Sequence, residues 1–183
     1  MGQGSESVET GRVDRFRLTQ SGDGNPISQV FGRVRIGGQV IWASDFLERS
    51  STTGGGGKGG SPSTPEVTSF SYYVSLAIAV CEGEIASIGR VWADGEEVSP
   101  PDLNMRVYAG TDDQLPDPLI EAIEGSGLVP AYRGTAYVVM ERLPLGQFGN
   151  RVPQFSFEVL RAEPSESSTY STDLAQLVRG AAS

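Results

Sequence analysis

The chain has 183 residues, 38% hydrophobic and 20% charged, with a formal net charge of −9, one cysteine and no histidine. That length suits one large or two small domains and is enough to bury a core without covalent staples. An internal disulfide is excluded, as are Ser–His–Asp and Cys–His nucleophiles and most zinc sites, and no run approaches the ~18 apolar residues that span a bilayer.

Residues 1–7 are small and polar and are expected to be disordered, with no signal peptide. Residues 12–18 read as a strand, with Phe16 and Leu18 on one side. Gly22, Asp23, Gly24, Asn25 and Pro26 form a turn cluster. Val34 and Ile36 then alternate with Arg33 and Arg35. Gly37-Gly38 reads as a two-residue hairpin loop, with residues 39–42 returning as the partner strand. Residues 50–65 are a long Gly/Ser-rich stretch, expected to be a flexible excursion from a sheet.

Residues 72–81 give the strongest strand signal. Tyr72, Val74, Leu76, Ile78 and Val80 make one large apolar face, while Tyr73, Ser75, Ala77, Ala79 and Cys81 make a mostly small one. Such a strand is expected to be central, with something packed closely over its small face. Residues 85–92 and 96–98 flank Asp94-Gly95, a type I′ hairpin signal. Leu103, Met105 and Val107 mark a short strand.

One helix stands out. Asp117 caps it, Pro118 takes its first position, Leu119, Ile120 and Ile123 share a face, and Gly125 ends it. Residues 135–140 are small, β-branched or aromatic at nearly every position, and Phe155, Phe157 and Val159 share a later strand face. Between them lie the turn formers Pro144, Gly146, Gly149, Asn150 and Pro153. Thr172 or Asp173 caps a final short helix through Leu174, Leu177 and Val178. Residues 164–183 thus read as a linker and the start of a helix that continues into a longer protein. The fold class is mainly β: antiparallel sheets, one or two short helices and the long Gly-rich loop.

Motifs with chemical meaning are few, and each has a plain structural reading. Gly54-Gly55-Gly56-Gly57-Lys58 lacks the first Gly, the following Ser or Thr and the helix of a phosphate loop, so a surface loop is expected. Asp112, Asp113, Asp117, Glu121 and Glu124 could bind Ca²⁺, but their spacing is not that of a Ca²⁺ loop. Negative charge favouring a helix N-terminus accounts for them. Glu82 and Glu84 lie two apart across Gly83, with no sugar cleft suggested nearby. Cys81 reads as a buried small hydrophobe, and no cofactor is expected.

Residues 1–60 carry seven basic and six acidic side chains, and the remainder seven and seventeen. Such a surface repels free nucleic acid, so no specific nucleic-acid binding is expected. Lys58 is the only lysine. The arginine bias fits bidentate pairing at interfaces, and genome coding bias explains it equally well. The interface candidates are Arg12, Arg15, Arg17, Lys58, Phe148 and Arg151. For the first three a solvated edge strand is the alternative; for Phe148 it is a turn that packs the ring inward.

Residues 132–158, containing Tyr132-Arg133-Gly134-Thr135-Ala136-Tyr137 and Leu143-Pro144-Leu145-Gly146-Gln147-Phe148-Gly149-Asn150-Arg151, resemble the N-terminal hub region of phage tail-tip proteins. They are most similar to the baseplate protein of gene transfer agents called megatron. Val8 to Leu18, Val30 to Ala43, Ala79 to Ile85, Arg90 to Gly95 and Met105 to Gln114 extend the resemblance in register over residues 8–180.

The resemblance implies a β-barrel-like tail hub domain over residues 8–163, without enzymatic activity. It implies a homotrimer on the tail axis, joined to a distal tail protein, other hub and baseplate proteins and a tail-associated peptidase. It also implies a place at the distal tail end of a phage or gene transfer agent particle, a part in DNA delivery, and synthesis in the bacterial cytoplasm. Those tail proteins run on into a barrel region resembling glycoside hydrolases, which this chain lacks, so no hydrolase activity carries over. The alternatives are an envelope-directed carbohydrate-active enzyme using Glu82, Glu84 and Glu141, or a carbohydrate-binding β module using Trp42 and Trp92.

Overall fold

The computed structural model describes residues 8–10, 26–53 and 67–161. In chain order these form β1 (Val8–Thr10), β2 (Gly32–Gly37), β3 (Gln39–Ala43), β4 (Leu47–Thr53), β5 (Val67–Glu82), β6 (Ser87–Ala93), β7 (Glu96–Val98), β8 (Met105–Tyr108), α1 (Pro118–Glu124), β9 (Thr135–Pro144) and β10 (Phe155–Arg161). Short 3-10 turns occupy Pro100–Leu103 and Gly146–Phe148. The sequence-predicted terminal disorder, the strand over 12–18 and the final helix lie outside the described residues.

β5 contains neither Gly nor Pro and is rich in β-branched and aromatic residues, which allows it to run for 16 residues. β4 pairs with its first half and β3 with its second, along one edge. β9 pairs antiparallel along the other edge, where β1 adds a short parallel ladder. β8 lies beyond β9. The second sheet has the order β2-β10-β6-β7, with every neighbour antiparallel.

The inner faces of the two sheets meet in one core. Val74, Leu76, Ile78, Val138 and Met140 come from the first sheet, and Val91, Phe155, Phe157 and Val159 from the second. Alternation along each strand places these groups inward. The layers are two open sheets rather than the barrel-like closure implied by the resemblance. Among the described residues no strand of one sheet pairs with a strand of the other.

The small face of β5 is covered, as its composition predicts. Ala77 packs with Tyr137 and Val139 of β9 beneath Ile120 of α1 and Val129. A larger side chain at Ala77 would hold the helix off the sheet. The helix has the predicted limits, capped by Asp117 and closed at Gly125. Ile123, expected on its apolar face, is 51% exposed, so Ile120 and the partly buried Leu119 carry the contact. Leu103, expected in a strand, is buried at the end of a 3-10 turn just before β8. Asp94 (φ 51°) and Gly95 (φ 91°) make the predicted two-residue turn between β6 and β7.

Two further sequence expectations are corrected. The first is the Gly37-Gly38 hairpin. Neither glycine has the positive φ that such a loop requires. β2 instead pairs with β10, and β3 with β5, so the chain passes from one sheet to the other at Gly38. There the backbone runs directly over the core. A Cβ on Gly38 would overlap Ile78 Cγ2 and sit 2.8 Å from Phe157 Cε2. Its N–H donates to the Phe155 carbonyl at 3.1 Å. Alternation marked both flanking strands correctly, but it carries no information on which partner each chooses.

The second correction concerns the Gly/Ser-rich stretch over 50–65. Residues 50–53 belong to β4, paired with Val67 to Phe70. The Thr52 and Thr68 hydroxyls lie 3.1 Å apart across the ladder. Ser and Thr signal a loop when read beside glycine, yet Thr is also a good strand former on an exposed face.

Gly38→Ala is expected to destabilise the fold by about 1–3 kcal/mol, the usual cost of overpacking a core. Gly37→Ala meets nothing within 4 Å and should stay within about 0.5 kcal/mol of wild type. Urea denaturation of the two variants checks the contrast.

Candidate functional site

β8 alternates so that Arg106 and Tyr108 share the face turned toward α1, and both reach Asp117. The Asp117 side chain is fully buried. Arg106 Nε donates to Oδ2 at 3.0 Å, and a terminal nitrogen of the same guanidinium donates to Oδ1 at 3.1 Å. The Tyr108 hydroxyl donates to Oδ2 at 2.7 Å. The backbone N–H groups of Leu119 and Ile120 donate to Oδ1 at 2.8 and 3.2 Å, which is the helix cap. The other terminal nitrogen of Arg106 donates to Glu141 at 2.8 Å. One carboxylate therefore starts the helix and fastens it to the sheet edge.

Burial alone would push the Asp117 carboxyl up, but the bonds from Tyr108, Arg106 and Ile120 outweigh it and hold it below the ordinary value. The Tyr108 phenol is pushed up to about 12, by burial first and then by its bond to Asp117. Its ring stacks on Tyr137 with centroids 4.4 Å apart, and Tyr132 meets Tyr137 edge-on at 5.3 Å. The sequence marked Asp117 as a cap and also as part of an acidic Ca²⁺ candidate. The structure separates the two: Asp117 points inward, while Asp112 and Asp113 are exposed. Among the described residues no group of three or more His, Cys, Asp or Glu could hold a metal ion.

The outer face of the second sheet carries a different arrangement. Glu158 on β10 is only 7% exposed and receives Arg90 and Arg33, at 3.1 and 3.3 Å. The ladder to β6 shifts register beside it. In that bulge the Arg90 N–H donates to Glu158 Oε2 at 3.3 Å, and a Cβ on Gly89 would overlap the same oxygen. Hydrogen bonds from Arg90 hold the Glu158 carboxyl below its ordinary value. One row further along, the Arg35 guanidinium lies 4.0 Å from the centroid of the Trp92 ring, and its Nε donates to Ser156 Oγ at 3.0 Å. Arg90 lies 5.2 Å from the same ring.

Beside this stack is an open cleft of about 440 Å³, lined by Arg35, Asp94, Gly95, Arg151, Gln154 and Ser156. Arg151 holds Asp94 with both terminal nitrogens, at 2.7 and 3.3 Å, tying the β6–β7 turn to the segment before β10. That bond, with the Gln154 N–H, lowers the Asp94 carboxyl.

Of the interface candidates, Arg12, Arg15, Arg17 and Lys58 lie outside the described residues. Phe148 is half-buried, its ring centroid 6.3 Å from that of Phe155 in an edge-on contact, which is the inward-packing arrangement. Arg151 is 60% exposed and engaged with Asp94. Glu82 and Glu84 are exposed, Glu82 receiving a bond from Gln29. Glu141 is occupied by Arg106. Trp42 packs under α1 and donates to Glu124 at 2.8 Å, and Trp92 is 8% exposed beneath its arginines. Neither tryptophan offers an open platform for a sugar ring. Cys81 is fully buried, and burial raises its thiol. Sequence reasoning passed over Arg35, Glu158 and Gln114. The buried Gln114 bonds the Gly110 N–H and the carbonyls of Ala131 and Tyr132, closing the loop before α1.

No family model and no curated protein matches the chain. Among solved structures, it is similar to a chain of the "Virion of native gene transfer agent (GTA) particle". Identity is 50%, with a TM-score of 0.64, over 96% of this chain and 36% of that one. The chain thus spans about a third of the length of the virion chain it matches, and at that identity the likeness is one of sequence as well as fold. Among the described residues no helix is long and apolar enough to cross a membrane.

Asp117→Ala removes the cap and leaves Arg106 with Glu141 alone. It is expected to cost about 3 kcal/mol, measured by chemical denaturation. Because folding lowers the Asp117 pKa, its contribution is present above the ordinary carboxyl value of 3.8 and is lost as pH falls through the lower folded value. Wild type should lose more stability than Asp117→Ala across that acid range.

Proposed function

We propose that the chain is a structural component of a gene-transfer-agent or phage-like virion, and that it serves as the hub module of the distal tail. The observation that carries this reading is the 50% identity to a virion chain across nearly the whole sequence. The molecule's construction agrees with it. The two buried carboxylates among the described residues, Asp117 and Glu158, are each held by arginine and support elements of the fold. In this reading the module belongs to a longer baseplate protein of the megatron kind, works without catalysis, and assembles as a homotrimer with distal tail and other hub proteins. The tail-associated peptidase is a further partner. Part of the −9 charge faces the tail channel, where carboxylates let DNA slide past without displacing counterions.

Two measurements test this. A reconstruction of the purified particle should trace the chain at the distal end of the tail, in threefold register. Its presence elsewhere in the particle, or its absence, would overturn the reading. Neutralising the carboxylates that face the channel should slow DNA delivery while particle yield stays level. Unchanged delivery would leave the charge a matter of solubility alone.

A further inference from the structure

We infer that the cleft beside the Arg35–Trp92 stack is a docking site for a carboxylate-rich segment of a neighbouring polypeptide in the particle. The inference rests on the reading of the chain as a virion component and adds where that component grips a neighbour.

The first support is preorganisation. Arg35 is held from two sides, its plane over Trp92 at 4.0 Å and its Nε on Ser156 at 3.0 Å. Gly37, opposite Ser156 in the ladder, places no side chain over them. Among the described residues no carboxylate pairs with Arg35, whereas Arg33, Arg90, Arg106 and Arg151 all have one. The two terminal nitrogens of Arg35 are left as a fixed fork beside the cleft. A stacked, pinned guanidinium loses little entropy on meeting a carboxylate, and Arg and Trp are the residue types that dominate interface energies. The Gln154 side chain adds an amide to the same lining.

The second support is charge. The cleft holds two guanidiniums and one carboxylate, Asp94. Its cationic excess is a single charge, on a chain whose net charge is −9. That excess suits one or two side-chain carboxylates. A nucleic-acid backbone brings a phosphate at every step and would run into Glu97 and the acidic remainder of the surface. A sugar would need the Trp92 face that the arginines cover.

The third support is the edge. β2, which carries Arg33 and Arg35, has one partner strand among the described residues and borders its sheet. An extended segment can lie along such an edge, directing its acidic side chains at the arginines.

The test places a photo-crosslinking residue, p-benzoylphenylalanine, at Gln154 of the full chain in the assembled particle, and separately at Glu97 to guard against local misfolding at the first position. Crosslinked peptides are then identified by mass spectrometry. The expected partner is a polypeptide segment with at least two Asp or Glu close together. Its yield should fall about tenfold, the equivalent of 1.4 kcal/mol, when Arg35→Glu is added, and hold when Arg49→Glu is added instead. Crosslinks to DNA, to a lipid or glycan or to a segment without acidic residues would overturn the inference. So would no crosslink from either position in particles that contain the chain. If the wild-type chain is missing from the particle, the virion reading fails and this inference with it.

Discussion

Burial of β5 on both faces is the constraint from which the other elements follow. Residues 74–81 are all buried, so every backbone N–H and C=O along them needs a partner within the protein. β3 and β4 meet that need along one edge and β9 along the other. Where the β5–β9 register slips, the Ser75 hydroxyl accepts the Arg142 N–H at 3.0 Å. On the other edge, in the gap between β3 and β4, the Ser75 N–H donates to Ser44 Oγ at 3.0 Å. A serine on the small face of the strand is a polar patch for a bulge rather than a chemical group in waiting.

The arginines can be understood in the same terms. Their excess over lysine suggested contacts between subunits, yet much of it serves the fold. Arg106 holds α1 to β8, Arg90 and Arg33 hold the Glu158 bulge, and Arg151 ties a turn to the segment before β10. Arg106 and Arg151 each meet a carboxylate with two guanidinium nitrogens, the planar fork that lysine lacks. Arg35 differs in being fixed by an aromatic ring and a hydroxyl, with no carboxylate partner among the described residues. Internal pairing and outward recognition draw on the same geometry, so composition alone cannot apportion arginines between them.

A structural role in a particle asks a module for stiffness and shape. Long ladders, a core shared by two sheets and a helix pinned by a buried carboxylate supply these. Of the carboxylates singled out for sugar chemistry, Glu82 and Glu84 are exposed and Glu141 is already engaged with Arg106. The likeness to a virion chain covers about a third of that chain.

Local signals were legible wherever the physics is local. Asp117-Pro118 and Gly125 bounded α1, Asp94-Gly95 set the β6–β7 turn, and alternation identified β5 and the inward face of β10. The small side of β5 even announced that something would pack over it. Partner choice was not legible. Gly37-Gly38 resembles a hairpin loop because a sheet crossing and a tight turn both exclude a Cβ, and only the positions of Ile78 and Phe157 distinguish them. Nor could the sequence pair Glu158 with Arg90, or bring Arg35 over Trp92, since those residues lie 68 and 57 positions apart. Spacing along the chain specifies which face a side chain takes; which strand lies beside it depends on how the whole core closes, and that was decided in three dimensions.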